Sequence, residues 1–118
     1  MKLTEAAYPS GRVPVEGYGP GFFRVGGTVH EGGIILSARG VSPWAGPQDR
    51  AALLALAGDA DVLLLGMGAQ IALPPAELIA ALAEGGLMAE AMSSPSAARS
   101  YNVLLSEGRR VAAALLPV

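Results

Sequence analysis

The sequence predicts an α/β domain built on a mostly parallel sheet, and three observations lead to this prediction. Apolar runs without polar alternation, at Val62–Gly66 and at 111–116, are typical of inner strands that are covered on both faces. Segments with apolar residues at helical spacing lie between such runs. The connections are short and rich in glycine and proline, so we expect consecutive elements to be neighbours with right-handed crossovers.

The first third of the chain is predicted to form a small meander of β-strands. Residues 1–12 are expected to be an irregular arm, because Pro9 and Gly11 interrupt any regular pattern. Pro20 and Gly21 then mark a turn between two short strands, and glycine pairs mark the turns that follow. The strands are expected at 15–19, 22–25, 28–30 and 34–37.

The middle of the chain is predicted to contain two helices around an inner strand. Residues 39–46 are expected to be a loop. A first helix is expected to begin at Pro47 and to end at Gly58, before the strand at 62–66. A second helix is expected from 74–75 to 85–86, and a strand follows at 87–92. The predicted buried positions are Leu53, Leu54 and Leu56 in the first helix, and Leu78, Ile79 and Leu82 in the second.

The last quarter of the chain, 93–118, is predicted to be a helix, a glycine stop and a central strand. Ser93 and Ser94 precede Pro95, as is typical of a capped helix start. Gly108 supplies the left-handed residue that ends the helix. The predicted apolar stripe of the helix consists of Ala97, Ala98, Tyr101, Leu104 and Leu105.

The last quarter carries a distinctive set of residues at fixed spacings, namely Ala97, Tyr101, Asn102, Leu104, Glu107, Arg110 and Val111. With this set, the segment resembles the signature of a small domain family of unknown function. The family includes mitochondrial complex I assembly factor 3 and an adipogenesis-associated protein. Segments 15–25 and 63–68 are similar to the family as well. The resemblance implies a three-layer single domain, with a central mixed five-stranded sheet, helices against it and an additional N-terminal β-hairpin.

Composition limits the classes of function. The 118 residues fit one domain over 1–118, and only 15% are charged, so a homo-oligomer or a surface covered by a protein partner is expected. The net charge of −2 argues against nucleic acid as a partner. No cysteine is present, which excludes disulfides and thiolate chemistry. No signal-peptide pattern and no apolar run of ~20 residues is found, so a cytoplasmic protein that is not membrane-embedded is predicted.

Two turns between a strand and a helix are candidates for a ligand site. Gly66 and Gly68 follow an inner strand, and glycines let backbone N–H groups approach an anion closely. Ser93 and Ser94 would add hydroxyls at a helix start. Because ligands bind at the carboxyl ends of parallel strands, the two turns are expected to share a cleft. The alternatives are a tight structural turn at 66–68 and simple helix capping by Ser94.

Arg99 or Arg110 would supply positive charge to this anion site. Asn102 and Glu107, with one of these arginines, form a second polar cluster, which we interpret as a structural ion pair that locks the helix to the strand. His30 is the only histidine and lies away from every candidate serine in the sequence, so no nucleophile and base are paired. No metal-ligand spacing is found, and no cofactor is expected.

These observations favour a non-catalytic interaction or assembly-type accessory protein. The alternative is a small-anion-binding protein or enzyme that uses the turns at Gly66, Gly68, Ser93 and Ser94.

Overall fold

The computed structural model describes residues 12–70 and 72–118, so the predicted arm at 1–12 lies outside the described residues except for Arg12. Within these ranges the chain forms strands and three helices in an α/β order. They are β1 (Val15–Gly19), β2 (Phe22–Val25), β3 (Thr28–Glu31), β4 (Ile34–Ser37), β5 (Gly40–Pro43), α1 (Arg50–Leu54), β6 (Val62–Gly66), α2 (Ala76–Glu84), β7 (Met88–Met92), α3 (Ser94–Ser106) and β8 (Val111–Leu115).

The strands form two sheets, as predicted. The central sheet has five strands in the order β5-β4-β8-β6-β7, and β1, β2 and β3 form a separate antiparallel meander. β6 runs parallel to both β7 and β8, whereas β4 runs antiparallel to β8 and β5. The α/β class, the mixed five-stranded sheet and the extra N-terminal strands are therefore confirmed.

Each face of the central sheet carries its own apolar core. One core packs α3 and the meander against the sheet, and the other packs α1 and α2 against the opposite face. Successive residues of β6 alternate between them, since Leu64 belongs to the first core while Leu63 and Leu65 belong to the second. This two-sided burial is the reason that the inner strands read as unbroken apolar runs.

The C-terminal ends of α2 and α3 agree with the glycine signals. Gly85 ends α2, and Gly108 has a φ of 77°, a left-handed conformation that side chains with a Cβ resist. The Arg109 N–H then donates to the Leu104 carbonyl over 3.0 Å, which closes the last turn of α3. None of the helices in the described part of the chain has the length and apolar character to cross a bilayer.

The prediction of a loop at 39–46 is wrong, because β5 pairs antiparallel with β4 there. Glycine, serine and proline disfavour strands in general, but an edge strand tolerates them since only one of its sides needs partners. The strand is therefore imposed by its neighbour β4.

The first helix is shorter than predicted at both ends, because it ends at Leu54 and not at Gly58. A turn in which the Asp49 N–H donates to the Gly46 carbonyl delays its start from Pro47 to Arg50. Leu53 and Leu56 are buried as expected, but Leu54 is 40% exposed, so its assignment to the core is wrong. With only five helical residues, α1 cannot bury the wide stripe that a longer helix would present.

Candidate functional site

The carboxyl ends of three parallel strands meet at one edge of the sheet. Gly66, the last residue of β6, lies in register with Met92 of β7 and with Leu115 of β8. The turns that follow these strands therefore lie beside one another. The structure brings Gly66, Gly68, Ser93 and Ser94 together at this edge, which is where α/β proteins usually bind ligands.

The hydroxyl of Ser94 connects all three strand ends. Its Oγ accepts a hydrogen bond from the Gly68 N–H over 2.9 Å and donates one to the Leu116 carbonyl over 2.6 Å. The Ser94 N–H in turn donates to the Gly68 carbonyl over 2.7 Å. Ser94 is fully buried. We refer to this contact between Gly68, Ser94 and Leu116 as the serine joint.

The alternative that Ser94 only caps the helix is wrong. Ser93 is the N-cap, and its Oγ accepts from the Ser96 N–H over 3.3 Å. Ser94 is already the first residue of α3, so its side chain points into the protein instead of back along the helix start. Either serine satisfies the cap pattern in the sequence.

The two turns contact each other directly, and no cleft separates them. A Cβ at Gly66 would lie 2.8 Å from Ser94 Oγ and 2.9 Å from Ser94 Cα, so only glycine permits this approach. The Met67 N–H also has a partner, because it donates to the Met92 carbonyl over 2.8 Å. The N–H groups of Met67, Gly68 and Ser94 are thus engaged within the protein, and the anion site stays a prediction that these contacts do not favour.

Neither arginine of the predicted site reaches the serine joint. Arg110 precedes β8 and lies at the amino ends of the parallel strands, where it pairs with Asp61 over 3.8 Å and donates to the Gly58 carbonyl. Arg99 lies on the exposed side of α3 and donates to Ser96 Oγ over 3.3 Å. Both arginines that were predicted to bind an anion therefore make their contacts elsewhere in the protein.

The predicted polar cluster of Asn102, Glu107 and an arginine is not assembled among the described residues. Asn102 instead contacts the backbone of Val15, which donates to Oδ1 over 2.8 Å and accepts from Nδ2 over 2.9 Å. Glu107 is the exposed C-cap of α3. Asn102 therefore fastens the N-terminal meander to α3, a structural role that differs from the expected ion pair.

A further polar contact was not predicted from the sequence. Arg12 Nη2 donates to the Tyr101 hydroxyl over 3.0 Å and to the Val111 carbonyl over 2.9 Å. Tyr101 is only 1% exposed, and this burial raises its pKa, while the nearby Arg12 charge and hydrogen bond act in the opposite direction. The partners lie 89 residues apart, so no local spacing could indicate the contact.

The described residues offer no evident metal or acid–base centre. No group of three or more histidine, aspartate or glutamate residues is arranged to hold a metal ion within 12–70 and 72–118. His30 lies on β3 opposite Phe23, in the meander, and makes no described hydrogen bond to Ser93 or Ser94.

Comparison with known proteins shows similarity along nearly the whole chain. An uncharacterised protein of Rhodobacter capsulatus is 60% identical over 109 residues, which span 92% of this chain and 88% of that protein. The crystal structure of an outer membrane protein from Bartonella henselae superposes with a TM-score of 0.83 at 36% identity, covering 95% of this chain and 99% of that one.

A solution structure of a Bordetella pertussis protein, described as an Mth938-like domain, gives a TM-score of 0.79 at 30% identity over 99% of this chain and 92% of that one. The family model described as "Protein of unknown function (DUF498/DUF598)" matches residues 15–116. The chain therefore belongs to the DUF498/DUF598 family.

Proposed function

We propose that this chain is a non-catalytic accessory protein that works by binding a protein partner, as an assembly factor does. The observation that carries this proposal is the serine joint. The edge of the sheet where an α/β enzyme would bind its substrate is occupied by contacts of the protein with itself. Binding of a macromolecule at the protein surface is then the function that fits the rest of the molecule.

Exposed apolar side chains support this proposal. Leu73, in the connection between β6 and α2, is 88% exposed, and Met88 at the start of β7 is 72% exposed. Burying a leucine side chain against a partner contributes about 1.5–3 kcal/mol. With few charges in the chain, such side chains offer favourable contacts to a partner protein.

The resemblance to a complex I assembly factor and the Bartonella relative, described as an outer membrane protein, both suggest a partner in a membrane assembly. The described helices cannot cross a bilayer, so we propose contact with a membrane-associated protein and not insertion. A cytoplasmic location stays a prediction.

Affinity purification from an extract of the source organism, followed by native mass spectrometry, tests the proposal. We expect a stoichiometric protein partner with the wild type, strongly reduced recovery with Leu73→Ser, and normal recovery with the matched control Val103→Ser, since Val103 is also exposed but lies on α3. A retained small anion without any partner would contradict the proposal and favour the anion-binding alternative.

A further inference from the structure

We infer that the free edge of β5 binds an extended peptide of a partner protein, with an acidic side chain directed toward Arg12. This inference rests on the proposed function and deepens it, because it adds a second contact with the partner, at the edge of the sheet opposite β7 and Met88, and names the chemistry of that contact. Such binding requires a strand edge with available hydrogen-bonding groups, space for the side chains of the peptide, and a charged side chain that an opposite charge on the peptide can pair with.

The backbone of β5 directs hydrogen-bonding groups away from the protein. The Trp44 N–H donates to the Gly33 carbonyl over 2.9 Å, which makes this a hydrogen-bonded pair of the antiparallel ladder. Pairs alternate along such a ladder, so Ser42 and Gly40 face β4, while the N–H and C=O of Val41 point outward. Pro43 adds an outward carbonyl. β5 has no strand on its other side in the described sheet.

Recesses lie on both faces of this edge. One of about 300 Å³ lies between β5 and α1 and is lined by Ile35, Ala52 and Leu56 among others. Another of about 270 Å³ lies between β5 and β3 and includes His30 and Glu31. Successive side chains of an extended strand point to opposite faces, so a peptide added to β5 would place its side chains into the two recesses in turn.

The charges around the edge specify the peptide. A third recess of about 100 Å³, at the Gly40 end, is lined by Arg12, by the polar side chains of Ser37 and Tyr101, and by apolar residues. No described carboxylate lies within ion-pairing distance of Arg12, whereas Arg39 at the same end already pairs with Asp59 over 2.8 Å. Arg12 therefore favours an acidic side chain. Glu31, at the Pro43 end, favours a basic one on the same face of the peptide.

A second copy of the chain fits this edge less well than a peptide. If two β5 strands paired, each would offer the other only glycine, valine, serine and proline side chains. These side chains are too small to fill recesses of about 300 Å³ and 270 Å³. A partner segment with longer side chains satisfies both the recesses and the charges.

The test uses the full ¹⁵N-labelled chain and the capped peptide Thr-Val-Asp-Leu-Lys-Val-Thr, followed by NMR. The matched control is the peptide with Asp replaced by Asn and Lys replaced by Gln, which lacks both charges in either strand direction. We expect the largest amide shifts at Gly40, Val41 and Ser42, and binding about tenfold tighter than that of the control. Arg12→Gln should reduce this difference, with the pairing of the peptide's lysine to Glu31 remaining. Val41→Pro should abolish binding while the β4–β5 pairing persists, because the Val41 N–H does not face β4.

Several results would overturn the inference. These are shifts confined to other surfaces, no saturable shift at millimolar peptide, or equal affinity for both peptides. A dimer in sedimentation that Val41→Pro converts to a monomer would assign the edge to self-association instead. If a partner is recovered from extract equally well by wild type and Val41→Pro, the accessory function stands and the β5 site does not.

Discussion

The Oγ atom of Ser94 lies 2.9 Å from the amide nitrogen of Gly68, and this contact joins the start of α3 to the turn after β6. Ser94 is fully buried, and its hydroxyl also donates a hydrogen bond to the carbonyl of Leu116, the residue that follows β8. A position at the ligand-binding edge of an α/β sheet thus serves to hold the ends of the strands together.

Ser94→Ala is expected to lower the free energy of unfolding by about 1–3 kcal/mol, because it leaves the Gly68 N–H and the Leu116 carbonyl without their partner. Urea denaturation followed by circular dichroism measures this change. Ser106→Ala is the matched control and should change stability by less than about 0.5 kcal/mol, since Ser106 is exposed. Equal stability of both variants would contradict the structural role of the serine joint.

Gly66→Ala is expected to destabilise the fold by about 1–3 kcal/mol through overpacking. The new Cβ would lie 2.8 Å from Ser94 Oγ and 2.9 Å from Ser94 Cα. The control is Gly17→Ala, because no atom lies within 4 Å of a Cβ built there. In the double variant Gly66→Ala/Ser94→Ala, the losses in free energy of unfolding from the two substitutions should be non-additive, since both act on one contact. Strict additivity in denaturation experiments would show that the sites are independent.

Asn102→Ala is expected to loosen the meander selectively. Its amide makes both described side-chain contacts to Val15, the first residue of β1. Hydrogen exchange should become faster in β1, β2 and β3 and stay unchanged in β6 and β8. Arg99→Ala, on the exposed side of the same helix, serves as the control. Uniformly faster exchange across both sheets would instead indicate a global loss of stability.

Tyr101 is expected to make stability depend on pH in the alkaline range. Burial raises its pKa in the folded state above the usual 10.0. The folded protein therefore holds the hydroxyl proton of Tyr101 more tightly than the unfolded chain does. The resulting contribution to the free energy of unfolding is complete below pH 10, and it is lost as the pH rises through the pKa of Tyr101 in the folded state. In that window the free energy of unfolding should fall by about 1.4 kcal/mol per pH unit.

Tyr101→Phe should remove this alkaline slope, whereas Tyr18→Phe should preserve it, because Tyr18 is 45% exposed. Denaturation at a series of alkaline pH values measures both variants. A slope that persists in Tyr101→Phe would assign the pH dependence to other groups.

Sequence reasoning predicted the elements whose signals are local. The inner strands β6 and β8 are recognisable because both faces of each are buried, and Gly108 because a left-handed helix end favours glycine. β5 carries no such signal, since pairing with β4 alone makes it a strand.

The candidate site was predictable only in part. The meeting of the two turns follows from the parallel strand order, so Gly68 and Ser94 could be placed at one edge. The sequence could not show which of the two serines caps α3. Ser94 is turned inward by its hydrogen bond to the Leu116 carbonyl, and Leu116 lies 22 residues further along the chain. Arg110 pairs with Asp61 because β6 and β8 are neighbours, and the chain order between them does not indicate this.

The position of β8 has a consequence for synthesis of the chain. β8 is the last strand in the described sequence, yet it lies between β4 and β6 at the centre of the sheet. Until residues 111–115 leave the ribosome, β4 and β6 have no central strand to join them, and the nascent chain exposes both unpaired edges. The five-stranded sheet therefore closes only after translation of β8, and we expect a chain truncated before Val111 not to form it.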